Sequence, residues 1–171
     1  TTGTANTGVG RAALNANTTA SNNTAVGYYA LLANTTGTGN TAVGTSAGAA
    51  VTTGSYNTAL GTYALDASTT DSNNTAVGYG ALSETESGTQ NVGVGVSALT
   101  TNTTGDYNTA LGAYALLDNT TGAHNTALGK GALANNTTAS YNVAVGSNAL
   151  DANTTGTRNI AIGYAALNVN N

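Results

Sequence analysis

The chain has 171 residues, a formal net charge of −4 and charged side chains at only 6% of its positions, against roughly 25% in an ordinary soluble domain. Phe, Trp, Met, Cys and Pro are absent, while 34 Thr, 24 Asn and 23 Gly make up almost half of the residues. The lack of Cys excludes disulfides and thiolate metal sites. Arg11, Lys130 and Arg158 are too few basic residues for nucleic-acid binding. No apolar run approaches the roughly 18 residues of a membrane span, so membrane insertion is not expected.

A tandem repeat of 17 residues organises the chain as one array, residues 1–171, with the consensus NTAVGxxALxxNTTGxx. In every copy a Gly follows the first Asn by four residues and an Ala follows it by seven, and the next residue is Leu in nine of ten copies, Gly48 being the exception. A longer period of 51 residues is superimposed, because residues 56–65 and 107–116 agree at nine of ten positions. The ten copies begin at Asn6, Asn23, Asn40, Asn57, Asn74, Asn91, Asn108, Asn125, Asn142 and Asn159.

Each copy begins with the NTAVG segment, whose alternating pattern predicts a short strand. The Gly that ends this segment predicts a turn with positive φ or a close backbone contact. The NTTG segment further along has the composition of a second turn. Seventeen residues are too few for a helix-pair repeat, so we predict two short strands and two turns per copy.

A unit this small cannot bury its own apolar face, so successive copies must stack. The sequence therefore predicts an all-β fold, a parallel β-solenoid (β-roll) of ten 17-residue coils with two short strands each, roughly 48 Å long at a spacing of about 4.8 Å. Equivalent residues then lie above one another, and the first Asn of each coil is predicted to form a hydrogen-bonded ladder. A second structural ladder is predicted for the glycines Gly10, Gly27, Gly44, Gly61, Gly78, Gly95, Gly112, Gly129, Gly146 and Gly163.

The predicted core of each coil is thin, with one Val or Leu from the strand, one further Leu and a few Ala. The middle residue of the strand is Ala in eight copies and Gly in two, Gly8 and Gly93. We therefore expect both faces of the strand to be buried, one of them against another chain. The repeat has no polar capping segment at either end, and bare strand edges invite further pairing. The expectation is a segment of a longer fibre, or a filament subunit that stacks end to end.

No constellation of catalytic or metal-binding groups is visible in the sequence, so we predict no enzyme activity, no cofactor and no metal site. The one His, His124, occupies a variable position of the repeat, and the seven acidic residues share no single position. Glu84 and Glu86 are close enough in sequence to touch a cation. A solvated turn is the favoured interpretation, because calcium takes six or more oxygen ligands.

Two further groups of residues are candidates for contact or modification. Tyr28, Tyr79 and Tyr164 follow the Gly of their copies, and their amphipathic rings suit contact with carbohydrate or another surface; packing between coils or chains is the alternative. Asn-x-Thr acceptor sites occur in the NTT turns, where a plain turn is the alternative. These candidate glycosylation sites are Asn17, Asn34, Asn102, Asn119, Asn136 and Asn153.

The units, of which NTAVGYYALLANTTG at 23–37 is the clearest, resemble repeats of phage tail fibres and bacterial tail-fibre-domain proteins. NVAVG at 142–146 and NIAIG at 159–163 are also similar to the head repeat of trimeric autotransporter adhesins. The resemblance covers the whole chain. It implies a left-handed parallel β-roll, three chains around one axis and a role in surface attachment.

These observations together predict a non-enzymatic structural or adhesive fibre protein located outside the cell, on the cell surface or on a virion. The expected partner is the chain itself, by end-to-end stacking, as a homotrimer or both, with surface glycans as a further partner. One alternative is a trimeric receptor- or glycan-binding adhesin head. Another is an ice-binding solenoid, suggested by stacked Thr pairs such as Thr18 and Thr19, although adjacent residues of a strand point to opposite faces.

Overall fold

The computed structural model describes residues 2–168; residue 1 and residues 169–171 of the predicted array lie outside this range. Ten parallel strands form one sheet in the order of the chain, each in register with the strand 17 residues later. This confirms an all-β parallel β-solenoid, and no helix occurs in the described range. The strands are β1 (Thr7–Val9), β2 (Thr24–Val26), β3 (Thr41–Val43), β4 (Thr58–Leu60), β5 (Thr75–Val77), β6 (Val92–Val94), β7 (Thr109–Leu111), β8 (Thr126–Leu128), β9 (Val143–Val145) and β10 (Ile160–Ile162). We number the coils 1 to 10 by their strands.

Each coil contains one strand of three residues, so the prediction of two strands per coil is wrong. The ALxx segment is not extended, because its backbone alternates into the left-handed region. In coil 7, for example, φ is +61° at Tyr114 and +51° at Leu116. The segment still hydrogen-bonds to the next coil, as in the bond that the Leu116 N–H donates to the Ala132 carbonyl (3.0 Å). Stacking therefore satisfies the backbone of a turn here as it does that of a strand.

The interior of the solenoid is filled by columns of Ala and Leu. The middle residue of each strand from β2 to β10 is buried, as are Ala115 and Leu116 of coil 7 and the residues at these two positions in coils 2 to 9. The strand Val, Leu or Ile that we placed in the core instead points outward, with Leu111 45% and Leu128 42% exposed. The alternation of the strand explains the difference. The small middle residue faces inward, so the residues on either side of it must face outward.

Coil 3 shows how the core accommodates its one missing Leu. Gly48 stands at the Leu position, and Val51, three residues later, stands where most coils have the Asn of NTT. Val51 is fully buried, and its Cγ2 lies 3.6 Å from the point that a Cβ on Gly48 would occupy. The substitution leaves the Oδ1 atom of Asn34 in coil 2 buried without a partner, because Val51 has no amide to donate.

The Gly after each strand is required both by its backbone angle and by the stacking. Gly78 has a φ of +129°, in a region that side chains disfavour. A Cβ on Gly78 would lie 2.5 Å from the carbonyl oxygen of Gly95 in the next coil. The column of glycines therefore lets successive coils approach one another at the corner of the solenoid.

Candidate functional site

The first Asn of each coil is a structural residue inside the solenoid. In coil 7, Asn108 is fully buried, and its Oδ1 atom accepts a hydrogen bond from the Asn125 backbone N–H (3.0 Å). Its Nδ2 atom donates across the coil to the Gly122 carbonyl (2.8 Å). The same pair of bonds recurs along the array, so this Asn ladder joins side chain to backbone rather than side chain to side chain.

The Asn of the NTT turn forms a second ladder, and here side chains do bond to one another. The Asn119 Nδ2 atom donates to Asn102 Oδ1 (2.7 Å) and to the Gly122 carbonyl (2.9 Å). Of the six candidate glycosylation sites, Asn17 is partly exposed and the other five are at 0% exposure. Because these Nδ2 atoms are inside the coil, an attached glycan does not fit the folded conformation. The structure gives Asn34, Asn102, Asn119, Asn136 and Asn153 a structural role.

The Thr pairs of the NTT turns take part in hydrogen bonds between successive coils. The hydroxyl of the first Thr is used within the solenoid in six of these pairs. For example, Thr35 Oγ1 donates to the Thr52 carbonyl (3.1 Å), and Thr52 Oγ1 donates to the Thr69 carbonyl (2.9 Å). These bonds tie successive coils together along one edge. The pairs that suggested an ice-binding surface are therefore turn residues with a structural role.

The outward side of the sheet is a continuous stripe, which we call the outer strand face. It consists of the first and third residues of all ten strands, and these are only Thr, Val, Leu and Ile. Their side chains are partly or largely exposed, from intermediate values at Thr24 and Val26 to 72% at Ile162. The sequence predicted that this side would be covered by another chain; in the single chain it is open.

The tyrosines proposed for surface contact share one column but lie far apart. Tyr28, Tyr79 and Tyr164 are 40%, 57% and 80% exposed. Their coils are three and five positions apart, roughly 14 and 24 Å at the coil spacing, so they do not form one site. Two of them contact a neighbouring ring. Tyr28 stacks on Tyr29 (centroids 3.8 Å apart), and Tyr79 meets Tyr63 edge to face (6.0 Å, 85°).

A stack of aromatic and cationic side chains runs along another edge, and the sequence analysis missed it. The His124 ring lies between Tyr107 and Tyr141, parallel to both within 5° and 4.9 Å from each. The Arg158 guanidinium lies 5.6 Å from the centroid of Tyr141. All four residues immediately precede the first Asn of coils 7 to 10. The 17-residue spacing was therefore the signal that could have identified the stack.

One notch interrupts the surface at coils 4 to 6. It has a volume of about 470 Å³, and Tyr63, Asp66, Tyr79, Gly80, Ser83 and Glu84 are among the residues that line it. Glu84 faces this notch together with Asp66 rather than forming a site with Glu86. Burial, and secondarily the negative charge of Glu84, raise the pKa of Asp66 above its usual value.

The described residues were also compared with the requirements of a metal centre and of a membrane-spanning helix. Within residues 2–168, no three His, Asp or Glu side chains form a group able to hold a metal ion. That part of the chain also has no helix long and apolar enough to cross a membrane.

Comparisons of the chain with protein-family models, with curated proteins and with solved structures give no match. The 17-residue repeat and the β-solenoid that it forms therefore define the class of this protein.

Proposed function

We propose that the chain is a non-enzymatic building block of an extracellular structural or adhesive fibre, on a cell surface or a virion, and that copies associate through the outer strand face. The exposed aliphatic column of that face is the observation that carries the proposal. Ten strands at a spacing of about 4.8 Å give a stripe nearly 50 Å long. Contiguous exposed apolar surface of this kind marks interaction sites in soluble proteins.

A second copy of the chain is the partner that fits this face best. The outer strand face has no charged residue in any of its ten strands, so it gives a charged partner little to recognise. Its side chains repeat at the pitch of the coils, and another copy has the same pitch. Two or three copies packed around one axis would match column to column over the whole array. The resemblance to trimeric fibre and adhesin repeats favours the threefold form.

End-to-end stacking would use a different surface. The edge that a strand offers to the next coil consists of free backbone donors and acceptors, and these pair equally well with a coil of the same chain or of another chain. A fibre would then grow by the same hydrogen bonds that hold neighbouring coils together.

The test is the mass of the particle in solution, measured by sedimentation, with electron microscopy for its shape. We expect assemblies of the wild-type chain, and dissociation in a Leu111→Lys/Leu128→Lys double variant, because each Lys places a charge on the outer strand face. Val96→Lys is the matched control, since Val96 is 44% exposed but lies beyond the strand. A compact wild-type monomer at every concentration, or equal behaviour of all three proteins, would overturn the proposal.

Ice binding is a second candidate, because the outer strand face carries a column of threonines. Thr24, Thr41, Thr58 and Thr75 stand in one column beside the aliphatic column, one residue per coil. A face covered by other copies is not free to bind ice, so the two candidates compete. Thermal hysteresis by a monomeric chain would support ice binding, and its absence would exclude it.

A further inference from the structure

The notch at coils 4 to 6 lies where two small residues follow a Tyr in one column. Two residues after the Gly of each coil, Tyr63 stands in coil 4, Gly80 in coil 5 and Ser97 in coil 6. The gap above Tyr63 is therefore open. A Cβ built on Gly80 would meet nothing closer than 3.8 Å. The Thr100 hydroxyl donates to the Gly80 carbonyl (3.2 Å) and closes the gap from the coil above.

The walls of the notch combine aromatic rings with negative charge. The rings of Tyr63 and Tyr79 are nearly perpendicular and form a corner, and the two residues are 42% and 57% exposed. Asp66 and Glu84 line the same space, on coils 4 and 5. Burial, and to a smaller extent the negative charge of Glu84, raise the pKa of Asp66.

No Lys or Arg side chain among residues 2–168 lies near this pair of acids. The nearest basic residues along the solenoid are Arg11 and Lys130, each three coils from a notch carboxylate, or roughly 14 Å. Aromatic faces attract cations through the negative charge of their π systems. Carboxylates beside such faces add direct charge attraction. The notch therefore has two independent features that both favour a positively charged group.

The superimposed 51-residue period provides an internal comparison. The residues 51 positions after Tyr63 and Gly80 are again Tyr and Gly, at Tyr114 and Gly131. The chemistry around them is different, because Leu117 replaces Asp66, Asn135 replaces Glu84, and Lys130 replaces Tyr79. Equivalent positions of the solenoid therefore hold a Lys in coil 8 but two Tyr and two carboxylates in coils 4 and 5.

We propose that the notch lined by Tyr63, Asp66, Tyr79 and Glu84 binds an alkylammonium or guanidinium group, as carried by a lysine or arginine side chain of a partner protein. The group lies against the tyrosine corner with its charge toward the two carboxylates. This inference does not depend on fibre formation, because the notch is complete within one chain. Its failure and the failure of self-association are therefore separate results.

The experiment compares charged and neutral ligands of the same shape. N-acetyl-arginine methylamide and N-acetyl-citrulline methylamide are titrated into the full chain, and binding is followed by ligand-observed NMR. We expect binding of the arginine derivative and at least about a fivefold preference over citrulline. Equal binding of the two derivatives, or binding of a neutral methyl glycoside in place of both, would overturn the proposal.

Variants locate the binding in the notch. Asp66→Asn and Glu84→Gln are each expected to weaken binding about two- to fivefold, the range for exposed ion pairs. Asp151→Asn is the control, since Asp151 has the same position in coil 9 and is remote from the notch. Unchanged binding in the two notch variants, or an equal loss in the Asp151→Asn variant, would refute the assignment.

A filling variant tests the shape of the site without changing its charge. Gly80→Tyr should abolish binding while preserving the fold, because Tyr29, Tyr63 and Tyr114 occupy this position with φ of 57–61°. Gly131→Tyr is the matched control in coil 8, where a Cβ would meet the flexible amide end of Asn148. Circular dichroism checks the fold of both. Retained binding in a folded Gly80→Tyr variant would contradict the proposal.

A further pair of variants identifies which protein provides the bound cation. If Lys130→Gln and Glu84→Gln abolish the same self-association, the bound group is Lys130 of a second copy. If self-association is unchanged in both variants while the arginine derivative still binds the Lys130→Gln chain, the group comes from another protein. Either result supports the cation site.

Discussion

The buried Asn ladder provides the sharpest test of how the coils hold together. Replacing Asn108 by Ala removes the only side-chain acceptor of the Asn125 N–H, which lies inside the solenoid. The Gly122 carbonyl loses one donor but keeps the Asn119 Nδ2 atom. An unsatisfied buried N–H costs about 1–3 kcal/mol, and the second lost bond about 0.5–1.5 kcal/mol. We therefore expect Asn108→Ala to lower the free energy of unfolding by about 1.5–4.5 kcal/mol.

The same change in coil 1 is the control. Asn6 makes equivalent bonds, to the Asn23 N–H (3.0 Å) and to the Ala20 carbonyl (2.7 Å), but it is partly exposed. Water can replace its bonds, so Asn6→Ala is expected to cost about 1 kcal/mol. Guanidinium unfolding followed by circular dichroism measures both, and hydrogen exchange at the Asn125 amide reports the local effect. Equal losses for the two variants would show that burial of the ladder is not what stabilises it.

Three further predictions concern single positions of the coil. Gly95→Ala should lower the melting temperature more than Gly163→Ala does. Both residues have positive φ, but only a Cβ on Gly95 would lie within 2.6 Å of the next coil, at Gly112. Equal losses in the two variants would mean that positive φ alone causes the destabilisation. Leu116→Ala should lower the free energy of unfolding by about 2–5 kcal/mol. Leu117 is only partly buried, so Leu117→Ala should lower it less, and similar losses would contradict the observed core. Burial raises the pKa of Asp71 in the folded state, so its contribution to stability is present at low pH and lost as the pH rises through that pKa. Asp71→Asn should therefore melt above wild type at pH 7 and near it at pH 3, and a constant difference across this range would refute the reasoning.

The solenoid could be predicted from the sequence because its constraints repeat. One spacing of 17 residues placed Asn108, Gly112 and Leu116 above their equivalents, and stacking in register followed. The number of strands per coil could not be predicted. The left-handed backbone at Tyr114 and Leu116 has no residue signature, since neither is a type that favours positive φ.

The direction of the strand side chains was the other feature that the sequence left open. Alternation alone does not say which face of a strand is inside. We placed Val and Leu in the core by their size, and the structure places the smaller Ala there. The interior between the strand and the Leu column is narrow: a Cβ built on buried Gly93 would lie 3.1 Å from the Ala98 carbonyl oxygen and 3.3 Å from Leu82 Cγ. Only a small side chain fits the inward position.

The functional residues were harder to predict because they are exceptions to the repeat. The notch depends on Gly80 standing between Tyr63 and Ser97, and on Asp66 and Glu84, which are 18 residues apart and so at adjacent positions of neighbouring coils. A search for conserved repeat positions passes over such residues. A comparison of each variable column, coil by coil, would have found them.

The exceptions are also concentrated in one part of the array. Coils 3 to 5 break the NTT ladder with Val51, Ser68 and Thr85, and the Thr85 hydroxyl is buried without a hydrogen-bond partner. Asp71 adds a buried carboxyl that accepts from Ser68 (2.9 Å). In a structure where each coil must match its neighbours, such departures lower stability, and departures from local rules tend to gather at functional sites. The notch, at coils 4 to 6, overlaps these coils, so the least regular part of the solenoid is where we expect it to recognise a partner.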